Sequence, residues 1–391
     1  MQSRRMKIKD ICRTITDGSH NPPQGVGKSE YMMLSSKNIF DDEITFNEPR
    51  YLSQEEFFRE NKRTMISEGD VLLTIVGTVG RSAVVNKNMS PFTLQRSVAV
   101  LHPKNDICDS RFLMYALRGK RSYIENRAKG VAQKGIYLGE VSEIDINVPD
   151  IIEQQVIVEK LDKVFNIIKL RKKELEQFEN LMKGRFVEMF GDQSTNPRGW
   201  NETTIGDECF YIKDGPHKSL TDIGKKNGGY PFISVRNIVN GHIDFSTAKY
   251  ISNEDYADAI KKCHPEKGDM LYSKGGTTGI AKLIDIDEEF ANWVHVAVLK
   301  FDKSRLNGVF FENMLNGTYC YEQSQRLTKG IANRDLVLSA MAQIKIYCPP
   351  MELQNQFADF VKQVNKSKVA VQKARDEAQL LFDSLMQEYF G

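Results

Sequence analysis

Between Pro149 and Gly191, apolar side chains recur at alternating intervals of four and three. Ile157, Leu161, Val164, Ile168, Leu175, Phe178, Met182 and Met189 hold the register, and Arg171 and Arg185 interrupt it. A mean period of 3.5 predicts one long helix with a single seam. Asp150 and Glu153 form a D-x-x-E start signal after Pro149, and no further proline intervenes before Gly191. The same pattern closes the chain. Phe357, Val361, Val364, Val371, Ala378, Phe382, Leu385 and Tyr389 share one seam, broken by Lys368 and Arg375.

The stretches outside these helices carry strand and turn signals instead. "DVLLTI" and "SAVVN" flank the glycine loop "VGTVG", as "DMLYS" and "AKLID" flank "KGGTTG". "QRSVAVL" and "WVHVAVL" each predict one further strand. Short helices are expected at "SRFLMYALRG" and "GVFFENMLNG".

These pairs are in the same order at nearly constant separation. "TDGSH" at 16–20 matches "KDGPH" at 213–217, and "LSSKNI" at 34–39 matches "ISVRNI" at 233–238. "EGDVLLTIVGTVGRSAVV" from Glu68 matches "KGDMLYSKGGTTGIAKLI" from Lys267. "VPDIIEQQVIVEKLDKV" from Val148 matches "CPPMELQNQFADFVKQV" from Cys348, and "RFVEMFG" at Gly191 returns as "LMQEYFG" at Gly391. The chain therefore reads as a tandem duplication. The expected organisation is a globular part over 1–149, a helix over 150–191, a second globular part over 192–348 and a second helix over 349–391.

The class expected is α+β: a pseudo-twofold repeat of a mixed α/β unit plus a long helix. Two unrelated amphipathic helices, each packed on its own globular part, would show the same spacing. The duplication favours two helices that pair as an antiparallel coiled coil, with equivalent units about a twofold axis. From Ile157 to Met189 such a helix spans about 48 Å, somewhat more than the ~34 Å of one turn of B-DNA.

Composition narrows the function classes. With 40% hydrophobic and 27% charged residues, the 391-residue chain matches a soluble globular protein of two to three domains. A net charge of +2 means that any nucleic-acid surface is a local patch. Six scattered cysteines without a C-x-x-C pair speak against zinc and a disulfide framework and suit a reducing cytoplasm. The N-terminus has no signal-peptide h-region, and no apolar run is long enough to span a bilayer.

Catalytic motifs are missing or incomplete. "NPPQ" at 21–24 is similar to the N-P-P-aromatic motif of amino-methyltransferases, but Gln24 replaces the aromatic and no S-adenosylmethionine signature accompanies it. In "GVGKSE" the first glycine of a phosphate loop would fall on Pro22. The histidines form no H-x-x-x-H or H-E-x-x-H pair, so neither metal ligation nor a triad stands out. What repeats is an inventory of amide and basic side chains on loops, the types that read purine edges and hold phosphates. The candidates are His20, Asn21, Gln24, Lys28, Lys37, Asn38, Thr78, Arg81, Gln133 and Lys134 in the first half. In the second they are His217, Lys218, Arg236, Asn237, Lys274, Thr277, Thr278, Asn333 and Arg334.

With its two D-G-x-H loops, two G-D strand–glycine loops, two K-G…(Q/N)-(K/R) segments and proline-initiated helices bearing "QQ" and "LQNQ", the chain resembles the DNA-specificity subunit of type I restriction–modification systems. The resemblance covers nearly the whole chain. It implies two target-recognition domains, each reading one half of a split DNA site, held apart by paired helices, and no catalysis in this chain. It further implies double-stranded DNA and two modification subunits as partners, with S-adenosylmethionine bound by the latter, which methylate adenine N6. Restriction subunits, where present, would bring ATP and Mg. Two rivals remain: a self-contained methyltransferase, which needs a cofactor motif, and a coiled-coil scaffold that does not bind DNA.

Overall fold

The computed structural model describes residues 3–130, 134–238, 241–331 and 333–391. Among its helices are α1 (Gln54–Thr64), α2 (Ser110–Gly119), α3 (Ile151–Phe190), α4 (Asn253–Lys262), α5 (Gly308–Leu315) and α6 (Met351–Phe390). The chain forms two compact units. The first comprises 1–173 with 372–391, and the second 174–371, so each takes a piece of both long helices.

In the first unit, a four-stranded sheet runs in the order Cys12–Asp17, Val98–Pro103, Val71–Thr74, Ser82–Val84, all neighbours antiparallel. A three-stranded sheet places Tyr31–Leu34 between Arg50–Leu52, antiparallel, and Phe92–Leu94, parallel. The four-stranded sheet separates two cores. Val71, Leu73, Ala99 and Leu101 face α2 and the long helices, and Leu72, Val98 and Val100 face the smaller sheet. Strand alternation of period two makes this division.

The second unit repeats the topology. Its sheets run Cys209–Asp214, Val296–Phe301, Met270–Ser273, Ala281–Leu283, and Lys249–Ile251, Tyr230–Ile233, Ala291–Asn292. Both the strand order and the parallel pairing within the small sheet recur. The duplication legible in the sequence is a duplication of fold.

Every seam position of both long helices is buried or half-buried. In the first unit Phe165 lies against Phe382, ring centroids 5.6 Å apart, and Lys160 Nζ donates to Tyr389 Oη at 3.2 Å. Arg118 covers both phenylalanines, 4.9 and 4.5 Å from their centroids. In the second unit Phe186 and Phe190 pack on Phe357, at 5.2 and 5.7 Å, and Lys368 bonds Glu179. In each unit residue numbers rise on one helix as they fall on its neighbour, so the pairing is antiparallel. Gly191 ends α3 with φ +82°, and its N–H donates to Val187 O at 2.8 Å.

The roots of the long helices explain "QQ" and "LQNQ". Asp150 Oδ1 accepts from Glu153 N at 2.9 Å. Gln154 is fully buried; its Oε1 accepts from Asp109 N (2.8 Å) and its Nε2 donates to Ile107 O (2.8 Å) and Pro149 O (2.9 Å). Gln354 repeats this with Asn307 N (2.8 Å), Arg305 O (2.9 Å) and Pro349 O (2.8 Å). A buried amide with both ends satisfied ties each head to its helix.

Candidate nucleic-acid interface

In each unit three loops meet at the residues that open the central strand, and a fourth joins them through the glycine loop. In the first unit those residues are Gln95, Arg96 and Ser97. The D-G-x-H loop reaches them through Ser19, which bridges to Gln95 and accepts from Arg96 N at 2.9 Å. The Ser35–Asn38 turn arrives through Ser36 N, which donates to Ser97 Oγ at 3.1 Å. The glycine loop arrives through Ile75 N and Val76 N, both donating to Ser97 O, at 2.9 and 3.3 Å. The fourth loop is pinched shut by a reciprocal pair, Lys129 N to Gly135 O (2.8 Å) and Gly135 N to Lys129 O (2.9 Å). Its Lys134 O then accepts from Gly77 N at 2.9 Å.

The second unit repeats most of this frame through Trp293 and His295, and its D-G-x-H loop lies against Asn292. Trp293 N donates to Ile233 O (2.9 Å), and Lys274 N and Gly275 N donate to His295 O (2.8 and 3.3 Å). Lys329 and Asp335 exchange N–H···O bonds, each 2.9 Å, and Gly276 N donates to Arg334 O at 3.0 Å. By these bonds Lys37 corresponds to Arg236, Gln95 to Trp293, Ser97 to His295, Lys134 to Arg334 and Gly135 to Asp335.

The glycine of each D-G-x-H loop is required by contact. A Cβ on Gly18 would lie 2.1 Å from Leu94 O, and one on Gly215 would lie 1.7 Å from Asn292 O. The aspartate before it is a buried charge hub. Arg63, at the end of α1, pairs with Asp17 and donates to Asp17 O at 3.0 Å. In the second unit Lys262, at the end of α4, bonds Asp214 Oδ1 at 2.8 Å and Gly215 O at 2.6 Å.

The candidates divide on this frame. His20, Asn21, Gln24, Lys28, Lys37, Thr78 and Lys134 are exposed, as are His217, Lys218, Arg236, Thr277, Asn333 and Arg334. His20 bonds Asp17 Oδ2 at 2.8 Å, and Arg81 lies over the Phe40 ring at 4.9 Å. Lys218 is drawn to Asp258 (3.0 Å) and Asp255 (3.8 Å), and the Asp258 hydrogen bond raises its pKa above the ordinary lysine value.

Four candidates face inward. Asn38 and Asn237 are buried, and both amide ends hold their own turns. Asn38 accepts from Ser35 N (3.1 Å) and donates to Asn47 O (2.9 Å); Asn237 accepts from Ser234 N and donates to Asp244 O, both at 2.8 Å. Thr278 is buried against Thr328 Oγ1 at 2.9 Å. Lys274 is 5% exposed between Asp335 (2.9 Å) and Asp214 (3.5 Å), a side chain clamped inside the fold. These residues shape the loops that carry Lys37, Arg236, Arg334 and Asp335. Gln133 lies outside the described residues.

The strand pattern of "QRSVAVL" and "WVHVAVL" does not by itself reveal this convergence of loops. Their polar and aromatic openings, at one position in both copies, were the available signal. In the second unit the loops enclose a cleft of about 610 Å³ lined by Ser234, Arg236, Trp293, His295, Arg334 and Asp335 among others. Burial pushes the Cys12, Cys209, Cys320 and Cys348 thiols up to about 12 and Cys263 to about 11, far from reactive thiolates. Among the described residues no group of three or more His, Cys, Asp or Glu could hold a metal ion, and no helix is long and apolar enough to cross a membrane.

The family model for the type I restriction modification DNA specificity domain matches twice, at residues 5–180 and 197–380. The chain belongs to that family. It is a type I restriction–modification specificity subunit with tandem DNA specificity domains. The MjaVIII specificity subunit of Methanocaldococcus jannaschii is 23% identical over 338 residues, 81% of this chain and 78% of that one. The fold is that of the type I S subunit crystal structure from M. genitalium, with a TM-score of 0.60 at 16% identity, covering 100% of this chain and 96% of that one. A chain from a study of type I complex assembly and conformational transition gives 0.51 at 17% identity, covering 99% and 97%.

Proposed function

We propose that each unit of this specificity subunit reads one half of an asymmetric, bipartite DNA site. The observation that carries this reading is the convergence of four loops, which recurs with matching backbone bonds at the glycine loop and the fourth loop but is finished with different side chains. The same frame with Gln95, Ser97 and Gly135 in one copy and Trp293, His295 and Asp335 in the other suits two different base sequences on one type of surface. The exposed lysines and arginines around each hub supply phosphate contacts, and amide and guanidinium groups supply base readout.

The long helices set the unread gap and dock two modification subunits, one for each half-site. Each helix has 40 residues, about 60 Å of length. S-adenosylmethionine is bound, and adenine N6 methylated, in those partners, and the target base is flipped there. ATP and Mg act in restriction subunits where the system has them. This chain contributes recognition and geometry, working in the cytoplasm. Methylome sequencing of a host carrying this gene and its modification gene tests the reading. A split motif methylated in both halves, lost when this gene is deleted, is expected; methylation that survives deletion refutes it.

A further inference from the structure

We infer that the cleft of the second unit reads a G·C base pair, with Arg334 and Asp335 as its specificity-determining residues. This deepens the DNA-reading proposal above and rests on it.

The groups that line the cleft differ in kind from their counterparts in the first unit. Two guanidiniums, Arg236 and Arg334, and one carboxylate, Asp335, replace Lys37, Lys134 and Gly135. In the major groove guanine offers two acceptors, O6 and N7, and its cytosine offers the N4 donor. A guanidinium fork matches the first and a carboxylate the second. No A·T pair presents that set, because adenine adds a donor beside its acceptor and thymine a methyl group. Lysine and glycine in the first unit supply neither a fork nor a carboxylate, so that unit must read its half-site by other means.

Both reading groups are held in place from behind, which separates them from merely solvated charges. Arg334 Nη2 donates to Gln325 Oε1, and Gln325 Nε2 donates in turn to Thr278 O at 3.0 Å. Among the described residues one of its five donors is engaged, and the rest of the fork is available to a ligand. Asp335 Oδ1 accepts from the buried Lys274 ammonium at 2.9 Å, leaving the second oxygen for a donor. Arg236 is tied to Thr247 O at 2.9 Å. Trp293 and His295, edge to face with centroids 4.7 Å apart, form the wall of the cleft. Groups ordered before binding lose little freedom on binding, so their preference appears as discrimination.

The test uses the full chain in complex with its modification subunits. Duplexes carrying all four base pairs at each position of the second half-site compete for binding. The wild-type complex should prefer G·C at one position by on the order of ten- to a hundredfold over A·T. Arg334→Gln should reduce that preference to about threefold or less while leaving every first-half position unchanged. Gln325→Leu, which frees Arg334 from its tether, should weaken it less. If Arg334→Gln loses the whole second half-site, Arg334→Lys decides, since it keeps the charge without the fork. Relaxation at the G·C pair alone supports the assignment, and full discrimination overturns it. A second half-site with no G·C position, or a preference untouched by Arg334→Gln, also overturns it. Failure of the wild-type complex to select any split site would instead sink the underlying reading.

Discussion

Replacing Gln154 with methionine should loosen the first head from the root of its helix. The two side chains have similar volume, so the substitution leaves no cavity and isolates the hydrogen bonds. Three are lost: from Asp109 N at 2.8 Å, and to Ile107 O and Pro149 O at 2.8 and 2.9 Å. At about 1 kcal/mol net for each bond the loss is about 3 kcal/mol, and the orphaned Asp109 N–H raises it. Asp109 also caps α2, accepting from Arg111 N at 2.9 Å and Phe112 N at 3.0 Å, so the damage reaches a second element. For a unit of this size the melting temperature should fall by roughly 6–12 °C. Hydrogen exchange should accelerate first at Asp109, Arg111 and Phe112. The adjacent Gln155 is exposed, and Gln155→Met is the control that should change nothing beyond about 0.5 kcal/mol. A melting temperature for Gln154→Met within a degree or two of the control would refute the staple.

Phe382→Ala removes a side chain 1% exposed between Phe165, Tyr115 and Arg118, and should cost about 3–5 kcal/mol in chemical denaturation of the first unit. Inserting four residues near Arg171 should lengthen the gap in the methylated motif and leave both half-site sequences as they were; an unchanged gap contradicts the spacing role. Lys134→Gln should weaken recognition of the first half-site only, as read by binding competition. The Glu208 carboxyl is held below its ordinary value by Arg305, whose guanidinium bonds both oxygens at 2.8 Å. That contribution is present above the unfolded carboxylate value of about 4.3 and is lost as pH falls through the lower folded value. Acid unfolding of Glu208→Gln should therefore show a shallower dependence over that window, and an unaltered slope would count against the pairing.

The long helices and the duplication were legible because both rest on spacing. A seam of period 3.5 shows in one dimension, and so does a phrase that returns after about 200 residues. Which loop side chains look outward was not, because that depends on partners distant in the chain. Asn38 and Asn237 have the chemistry of base readers, yet each is consumed by its own turn. Lys274 looks like a phosphate contact until Asp214 and Asp335, 60 and 61 positions away, are seen to hold it. Trp293 and His295 sat inside a strand pattern, and only the approach of four loops singles them out. The glutamine pairs at the helix roots were visible as a repeated phrase, but their role needed the buried carbonyls around Gln154 and Gln354.

Selection of bound duplexes from a random library tests the central claim most directly, using this chain assembled with its modification subunits. Two specified blocks separated by an unspecified spacer of constant length are predicted, with substitution of Lys134 altering one block and of Arg334 the other. A single contiguous block, or both blocks altered by either substitution, would contradict the account.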